Sequence, residues 1–182
     1  LADKIILDAK LTLGLPPAVT AATGIDAMVH AIEAYTSKRL KNPLSDMLAR
    51  EALRLMAGNI TTAVKQGDNL EARSAMLLGA MLAGQAFANA PVAAVHALAY
   101  PLGGNYHIPH GLSNSLVLPH VLRFNASAAS ELYAELAPII LPGKNLPSDP
   151  LELSELLAEH FLNLAADLGL QTRLSQMNIA ES

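Results

Sequence analysis

The chain consists of apolar segments separated by short breaks rich in proline and glycine, and the apolar residues of each segment recur every three or four positions. Met28, Ile32 and Tyr35 show this spacing, which is typical of a helix that buries one face. Proline near the start of a segment, as at Pro17 and Pro43, is expected in the first turn of a helix. The predicted helices cover residues 18–22, 26–35, 43–58, 71–89, 92–100, 111–124, 126–136 and 150–168.

Alternating patterns typical of strands are missing after residue 10. Before that point, residues 5–7 (Ile-Ile-Leu) resemble the end of a strand, and residues 13–17 resemble the turn that leaves it. Proline and glycine predict further loops at 101–109 and 142–150. The chain is therefore predicted to be all-α, preceded by the remnant of a strand.

Composition narrows the class of protein. Hydrophobic residues make up 52% of the 182 positions and charged residues 15%, which allows a large core and argues against disorder. A net charge of −4 with scattered basic residues gives no patch for nucleic acid. The absence of cysteine excludes disulfides, thiolate metal sites and cysteine nucleophiles, and fits a cytoplasmic protein. Because the sequence starts at Leu1 within a strand-like segment, we expect it to be a piece of a longer protein.

The stretch between Arg73 and Arg123 contains no Asp, Glu, Lys or Arg. Prolines, glycines and polar residues interrupt it too often for a membrane span, so we expect buried helices and no membrane partner. Buried imidazoles need polar partners, and this makes the histidines of the stretch candidates for a site. They are four of the six in the chain: His96, His107, His110 and His120.

Asp26 and His30 lie four positions apart on a predicted helix, so their side chains project from the same face and can reach one divalent cation. Such a pair also arises as an acid near a helix N-terminus beside a surface histidine. His96 lies in the uncharged core, and His110 follows across the predicted loop; a core histidine can equally be satisfied by a backbone carbonyl. We interpret His107 and His120 as loop and packing residues.

One carboxylate and three neutral imidazoles form a ligand set suited to Fe²⁺ or Zn²⁺, and four ligands leave room for a substrate oxygen. The sequence has no His-Glu-x-x-His, no Glu-x-x-His of a di-iron bundle and no Gly-x-Ser-x-Gly. Gly103-Gly104 lacks the Lys and Ser/Thr of a phosphate-binding loop. His160, close to Glu155 and Glu159, is predicted to lie on a solvated helix face.

Two segments resemble the signatures of the iron-containing (group III) alcohol dehydrogenases. The first is TGIDAMVHAIEAY at residues 23–35. The second resembles the long histidine signature of that family in both residue types and spacing. It runs through Gly84, Phe87, His96, Pro101-Leu102-Gly103, Pro109-His110-Gly111, Leu118-Pro119-His120-Val121 and Asn125.

This resemblance implies a two-domain enzyme of the dehydroquinate synthase-like type, with an α/β domain that binds NAD(P) and a helical domain that binds the metal. Residues 1–15 would be the end of the nucleotide-binding domain and its linker. Residues 16–182 would be the helical catalytic domain, incomplete at its C-terminus. The family's metal ligands carry over to Asp26, His30, His96 and His110.

The resemblance also assigns residues around the metal. Phe87 matches an aromatic residue of the substrate cleft, and Glu33 either supports the metal ligands or packs the helix. Tyr100 stands where many members of the family have a histidine with a proton-relay role. A phenol can donate a hydrogen bond to a substrate or ribose oxygen, but it exchanges protons less readily than an imidazole near neutral pH. Tyr100 is therefore the candidate catalytic residue whose role departs from the family.

The implied activity is hydride transfer between an alcohol, or the corresponding aldehyde or ketone, and NAD(P), with Fe²⁺ or Zn²⁺ as Lewis acid. Because the nucleotide-binding half is expected elsewhere, the fragment should be inactive alone. The full-length protein is expected to be a cytoplasmic homo-oligomer. Two alternatives stay open: a metal-dependent lyase of the dehydroquinate synthase-like type, and a non-catalytic helical module with structural histidines.

Overall fold

The computed structural model describes residues 4–177 and residue 179, and in this part of the chain all regular secondary structure is helical. Short 3-10 helices at Ala9–Thr12 and Leu174–Met177 flank the main elements. The α-helices are α1 (Pro17–Tyr35), α2 (Pro43–Lys65), α3 (Leu70–Asn89), α4 (Ala94–Tyr106), α5 (His110–Ile140) and α6 (Pro150–Asp167).

Helix starts follow the signals in the sequence. The side chain of Asn42 accepts a hydrogen bond from the Ser45 backbone N–H, and that of Asn69 accepts one from Ala72, so each satisfies a free donor of the first turn. Asp149 caps α6 in the same way. These capping side chains fix where the amphipathic segments become helices.

α1 is the central helix of the core. It contacts α2, α3 and α5, and most of its residues are buried, including Met28, Val29 and Tyr35. α6 packs on α5 at the other side of the bundle, where Phe161 and Leu157 are buried. Because α1 is enclosed by its neighbours, the packing of the helix fixes the positions of its partly exposed residues, such as Asp26 and His30.

Small residues let helices approach α1 closely. A Cβ at Gly24 would lie 2.9 Å from Met76 Cε, so the glycine provides room for α3 while α1 continues through it. A Cβ at Gly111, at the start of α5, would lie 2.6 Å from the carbonyl oxygen of Ala22. The backbones of α1 and α5 therefore nearly touch at this crossing.

Several predicted breaks are not breaks in the structure. Gly24 lies inside α1 and Gly58 inside α2, because a helix enclosed by tertiary contacts tolerates the weak propensity of one glycine. Pro119 and Pro138 lie inside α5, which joins the two helices predicted at 111–124 and 126–136. Each proline removes one hydrogen bond, and the packing of α5 on α1 and α6 compensates for that loss.

The predicted loop at 101–109 is also mostly helix, since α4 continues through Pro101 to Tyr106. It ends at His107, which has a left-handed backbone with φ of 56°. The His107 N–H donates to the Gly103 carbonyl and the Ile108 N–H to the Leu102 carbonyl, a common way to terminate a helix. The connection to α5 is therefore only three residues long, residues 107–109.

The strand predicted at residues 5–7 is not formed. These residues are irregular and exposed, and no strand exists in the described part of the chain with which they could pair. A strand is stabilised by hydrogen bonds to a neighbouring strand, so the local pattern alone is not sufficient. Asp8 instead caps the first 3-10 helix by accepting a hydrogen bond from Lys10 N–H.

α3 and α4 meet at an angle of 106°. Within the described residues, no single helix has the length and apolar character needed to cross a membrane; only α3 and α4 taken together meet the criteria of length and composition. The bend matters for the site because it returns the chain towards α1.

The crossing at Gly111 is expected to be sensitive to one methyl group. Gly111→Ala should lower the free energy of unfolding by about 1–3 kcal/mol, because backbone atoms of α1 must move to accept it. Gly58→Ala is the matched control: it is also within a helix, but nothing lies within 4 Å of a Cβ there. That substitution should be neutral or stabilising by up to about 1 kcal/mol. Urea denaturation of the two variants measures the difference, and equal unfolding free energies would contradict the packing described.

Candidate metal centre

Side chains from three helices meet at the side of α1 that faces α4 and the start of α5. Each offers one ligand atom, and these atoms all lie within 4.8 Å of one another. Within the set, Nε2 of His30 lies 3.0 Å from Nε2 of His96. Oδ1 of Asp26 lies 3.6 Å from Nε2 of His96 and 3.7 Å from Nε2 of His110. The residues that converge are Asp26, His30, His96 and His110.

The helices determine this convergence. Asp26 and His30 are one turn apart on α1, as their spacing predicted. His96 lies in the first turn of α4 and His110 is the first residue of α5. His110 reaches α1 because Gly111, next to it, allows the close crossing. The two histidines therefore come from helix starts, not from the two sides of a long loop.

The spacing of the donor atoms fits a single small cation. Ligand atoms at zinc-like distances of about 2.0–2.1 Å in a tetrahedron are about 3.3 Å apart, and the separations here lie on either side of that value. Two imidazole nitrogens that face each other at 3.0 Å cannot both keep a lone pair there without a proton or a cation between them. A cation removes this conflict.

Asn114, one turn along α5 from His110, supports the exposed side of the set. Its amide nitrogen donates to Oδ1 of Asp26 and lies 3.1 Å from Nε2 of His110. Burial opposes ionisation of Asp26, but the nearby His96, the hydrogen bond from Asn114 and the other imidazoles outweigh it and lower its pKa. Sequence reasoning missed Asn114; its four-residue spacing from His110 was the available signal.

Glu33 supports the buried side of the set. Its carboxylate lies 2.7 Å from Nδ1 of His96 and is only 4% exposed. Burial lowers the pKa of His96, but the nearby carboxylates of Asp26 and Glu33, the latter hydrogen-bonded to the ring, prevail and raise that pKa to about 9. His30 behaves differently: burial, reinforced by the other imidazoles, lowers its pKa despite Asp26. The site thus attracts positive charge at His96 in particular.

Two aromatic side chains border the set. Phe87 of α3 stacks on His30 with ring centroids 4.6 Å apart. Tyr100 of α4 is 58% exposed, and its ring centroid lies 6.3 Å from that of His96 and 6.0 Å from that of His110. Both candidate residues therefore lie beside the cluster, Phe87 against His30 and the exposed Tyr100 next to His96 and His110.

The remaining histidines lie apart from this cluster. His107 and His120 are exposed, at the end of α4 and on α5. His160 on α6 is half-buried, and its ring meets that of Phe161 edge-on. The sequence predicted a solvated helix face, so this side chain is less exposed than predicted. Burial and the nearby Lys144 lower the pKa of His160.

Comparison with known proteins gives consistent matches. The family model described as "Fe-containing alcohol dehydrogenase family, C-terminal" matches residues 20–182. A 1,3-propanediol dehydrogenase of Klebsiella pneumoniae is 42% identical over 178 residues, which are 97% of this chain and 45% of that protein. This chain thus spans less than half the length of that relative.

Solved structures of other proteins also superpose on nearly the whole of this chain. A 1,3-propanediol oxidoreductase superposes with a TM-score of 0.89 at 42% identity, covering 95% of this chain and 45% of that one. A sulfoacetaldehyde reductase from Bifidobacterium kashiwanohense, solved in complex with NAD⁺, superposes with a TM-score of 0.82 at 31% identity, covering 96% and 44%. The helical fold described above is therefore the fold of the matched part of these proteins.

The raised pKa of His96 predicts how the stability of the metal-free protein depends on pH. A group that holds its proton more tightly when folded stabilises the fold below its unfolded pKa, here about 6.5, and that contribution is lost as the pH rises through about 9. Urea unfolding with a chelator present should show this decline, and His96→Gln should flatten it. His160→Gln, a substitution of a half-buried histidine on α6 that is not part of the cluster, should keep the decline. An unchanged pH profile in His96→Gln would contradict the assignment.

Proposed function

Because the chain belongs to the Fe-containing alcohol dehydrogenase family, we propose that it is the metal-binding catalytic half of an NAD(P)-dependent alcohol dehydrogenase. Residues 16–182 form that helical half in this proposal, and residues 1–15 are the link to a nucleotide-binding domain. The reaction is reversible hydride transfer between the carbon of an alcohol and a nicotinamide. The family assignment favours this activity over the lyase alternative.

The observation that carries the proposal is the convergence of one carboxylate and three imidazoles from separate helices. Such a set suits Fe²⁺ and Zn²⁺, and affinity order favours Zn²⁺ when both metals are available. When bound, the metal supplies Lewis acidity towards an alcohol or carbonyl oxygen. The proposed ligands are Asp26, His30, His96 and His110.

The residues around the ligands define where a substrate can bind. His110 and Tyr100 are exposed, whereas His96 is buried, so access to the cluster is from the side of the tyrosine. Phe87 covers the ring of His30 and offers an apolar surface to the carbon chain of a substrate. We propose that the Tyr100 hydroxyl donates a hydrogen bond to a substrate or ribose oxygen and orients it.

The nicotinamide cofactor is proposed to be held mainly by a second domain. In residues 4–177 and 179, the pair Gly103-Gly104 lies within α4, where its backbone groups belong to the helix and cannot form a phosphate-binding loop. The NAD⁺ complex of the sulfoacetaldehyde reductase supports a nicotinamide as the hydride carrier. It follows that this chain alone should not transfer hydride.

The substrate is proposed only as a class, a small alcohol and its aldehyde or ketone. The relatives are named for propanediol and for sulfoacetaldehyde, which differ in charge, so the family does not define one substrate. A cytoplasmic location and a homo-oligomeric assembly stay predictions of the resemblance.

A chimaera tests the proposal. This chain replaces the matched segment of the Klebsiella pneumoniae 1,3-propanediol dehydrogenase, and alcohol oxidation is followed by formation of NADH or NADPH. The chimaera should be active with Fe²⁺ or Zn²⁺ and inactive after chelation. His30→Ala should lower kcat/KM more than about 100-fold and lower the metal content, since a ligand is lost outright.

His120→Ala is the matched control, because His120 is an exposed histidine of the same chain far from the cluster. It should keep both metal and activity. Full activity of His30→Ala at an unchanged metal content, in a chimaera shown to be helical by circular dichroism, would refute the proposed site. A folded, metal-free chimaera without activity would refute the proposed function.

A further inference from the structure

The buried carboxylate of Glu33 is not among the proposed metal ligands, yet it contacts the ring of His96 and the backbone at the start of the helix that carries that ring. Oε2 lies 2.7 Å from Nδ1 of His96 and accepts a hydrogen bond from the Ala93 N–H at 2.9 Å. Oε1 accepts one from the Val95 N–H at 2.7 Å. A buried charge is costly unless it is paired and hydrogen-bonded, and here three partners meet that requirement.

Two of these partners are free donors at the N-terminus of α4. Ala93 is the residue that precedes the helix, and its own side chain cannot cap it. The first N–H groups of a helix lack partners inside the helix and carry partial positive charge. Glu33 of α1 therefore caps α4 from a neighbouring helix, and the cap fixes the position of His96 in the first turn.

The third partner determines the protonation of the imidazole. A carboxylate can only accept hydrogen bonds, so Nδ1 of His96 must carry the proton that it shares with Glu33. The neutral ring then has its lone pair on Nε2. That atom faces Nε2 of His30 at 3.0 Å and Oδ1 of Asp26 at 3.6 Å, in the centre of the cluster.

We propose that Glu33 is a positioning residue for metal binding. It holds the His96 ring by its Nδ1–H and keeps the lone pair of Nε2 directed at the ion, while it caps the helix that carries the ring. The inference rests on the proposed function, because it assigns His96 as a ligand. Glu33 does not itself contact the ion, because both of its oxygens are committed to α4.

Glu33→Gln is the most informative variant, because it conserves size while it replaces one acceptor oxygen by an NH₂ donor and removes the negative charge. A glutamine has one oxygen and one NH₂ group. If the NH₂ faces His96, it donates to Nδ1 and moves the ring proton to Nε2, where the ion must bind. If the amide is turned round, the NH₂ confronts the Val95 N–H and opposes the helix cap. Neither arrangement reproduces the wild-type hydrogen bonds.

Zinc affinity of the purified chain is measured by competition with a chromophoric chelator. Glu33→Gln should weaken zinc binding about 10- to 100-fold, the usual effect of losing a carboxylate behind a ligand histidine. Glu155→Gln is the matched control: it makes the same change in an exposed ion pair with Arg123, between α5 and α6. That variant should bind zinc as the wild type does.

A second measurement uses the wild-type protein and does not depend on the folding of any variant. Nitrogen-15 NMR of the zinc-loaded chain should show Nε2 of His96 as the metal-bound atom and a slowly exchanging proton on Nδ1. In Glu33→Gln the Nδ1 proton should exchange faster and shift upfield. A His96 ring bound through Nδ1, or without a proton there, would overturn the proposal.

The outcomes separate the two claims. If the wild type binds no zinc, the proposed function fails, and the role of Glu33 fails with it. If the wild type binds zinc and Glu33→Gln binds it within twofold, the proposed function stands and the role of Glu33 is wrong. A loss of affinity confined to Glu33→Gln, together with the changed Nδ1 signal, supports both.

Discussion

The enclosure of α1 by its neighbours is the constraint on which the site depends. α2 and α3 cover one side of α1 and α5 crosses the other, so a rotation or shift of α1 would expose buried side chains such as Met28 and Val29. Asp26 and His30 lie on this fixed helix, and the other two proposed ligands are brought to it. Gly111 sets the distance on one side, because its lack of a Cβ lets the start of α5 reach the α1 backbone. Glu33 sets the distance between α1 and the start of α4, because its carboxylate accepts hydrogen bonds from the N–H groups of Ala93 and Val95.

Charge explains why this region is suited to a cation. Apart from histidines and tyrosines, the stretch of chain between Arg73 and Arg123 contributes no ionisable side chains, since it contains no Asp, Glu, Lys or Arg. Asp26 and Glu33 therefore act on the imidazoles without competing basic side chains. The two carboxylates raise the pKa of His96 to about 9, so the surroundings of this imidazole favour its positively charged form. A divalent cation balances the two carboxylates more completely than one proton does, which is the physical basis for expecting metal there.

Much of the fold and of the site follows from sequence pattern, and the errors have definite causes. The spacing of Asp26 and His30 predicted a shared helix face, because that geometry is local. Gly24 and Pro101 suggested breaks that packing overrides, because tertiary contacts hold the helices despite a cost of about 1 kcal/mol for a glycine and about 3 kcal/mol for a proline. The strand at residues 5–7 failed for the opposite reason, because a strand needs a partner that the local pattern cannot supply.

Contacts between distant residues were the hardest to predict. Asn114 meets Asp26 across 88 positions of sequence, and Glu33 meets His96 across 63. Neither contact leaves a periodic signal in the sequence. The sequence left open whether Glu33 packs the helix or supports the proposed ligands, and the structure places its carboxylate on both the His96 ring and the backbone at the start of α4. The four side chains that converge could be anticipated from the motifs, whereas the contacts of Asn114 and Glu33 with them depend on the helix crossings.

Anomalous diffraction from crystals of the zinc-loaded chain, recorded on both sides of the zinc absorption edge, locates the bound ion directly. We expect one strong peak between α1, α4 and the start of α5, with an oxygen of Asp26 and the Nε2 atoms of His30, His96 and His110 at about 2.0–2.2 Å from it. A peak at any other place, or an ion at this place held by fewer than three of these side chains, would contradict the proposed metal site.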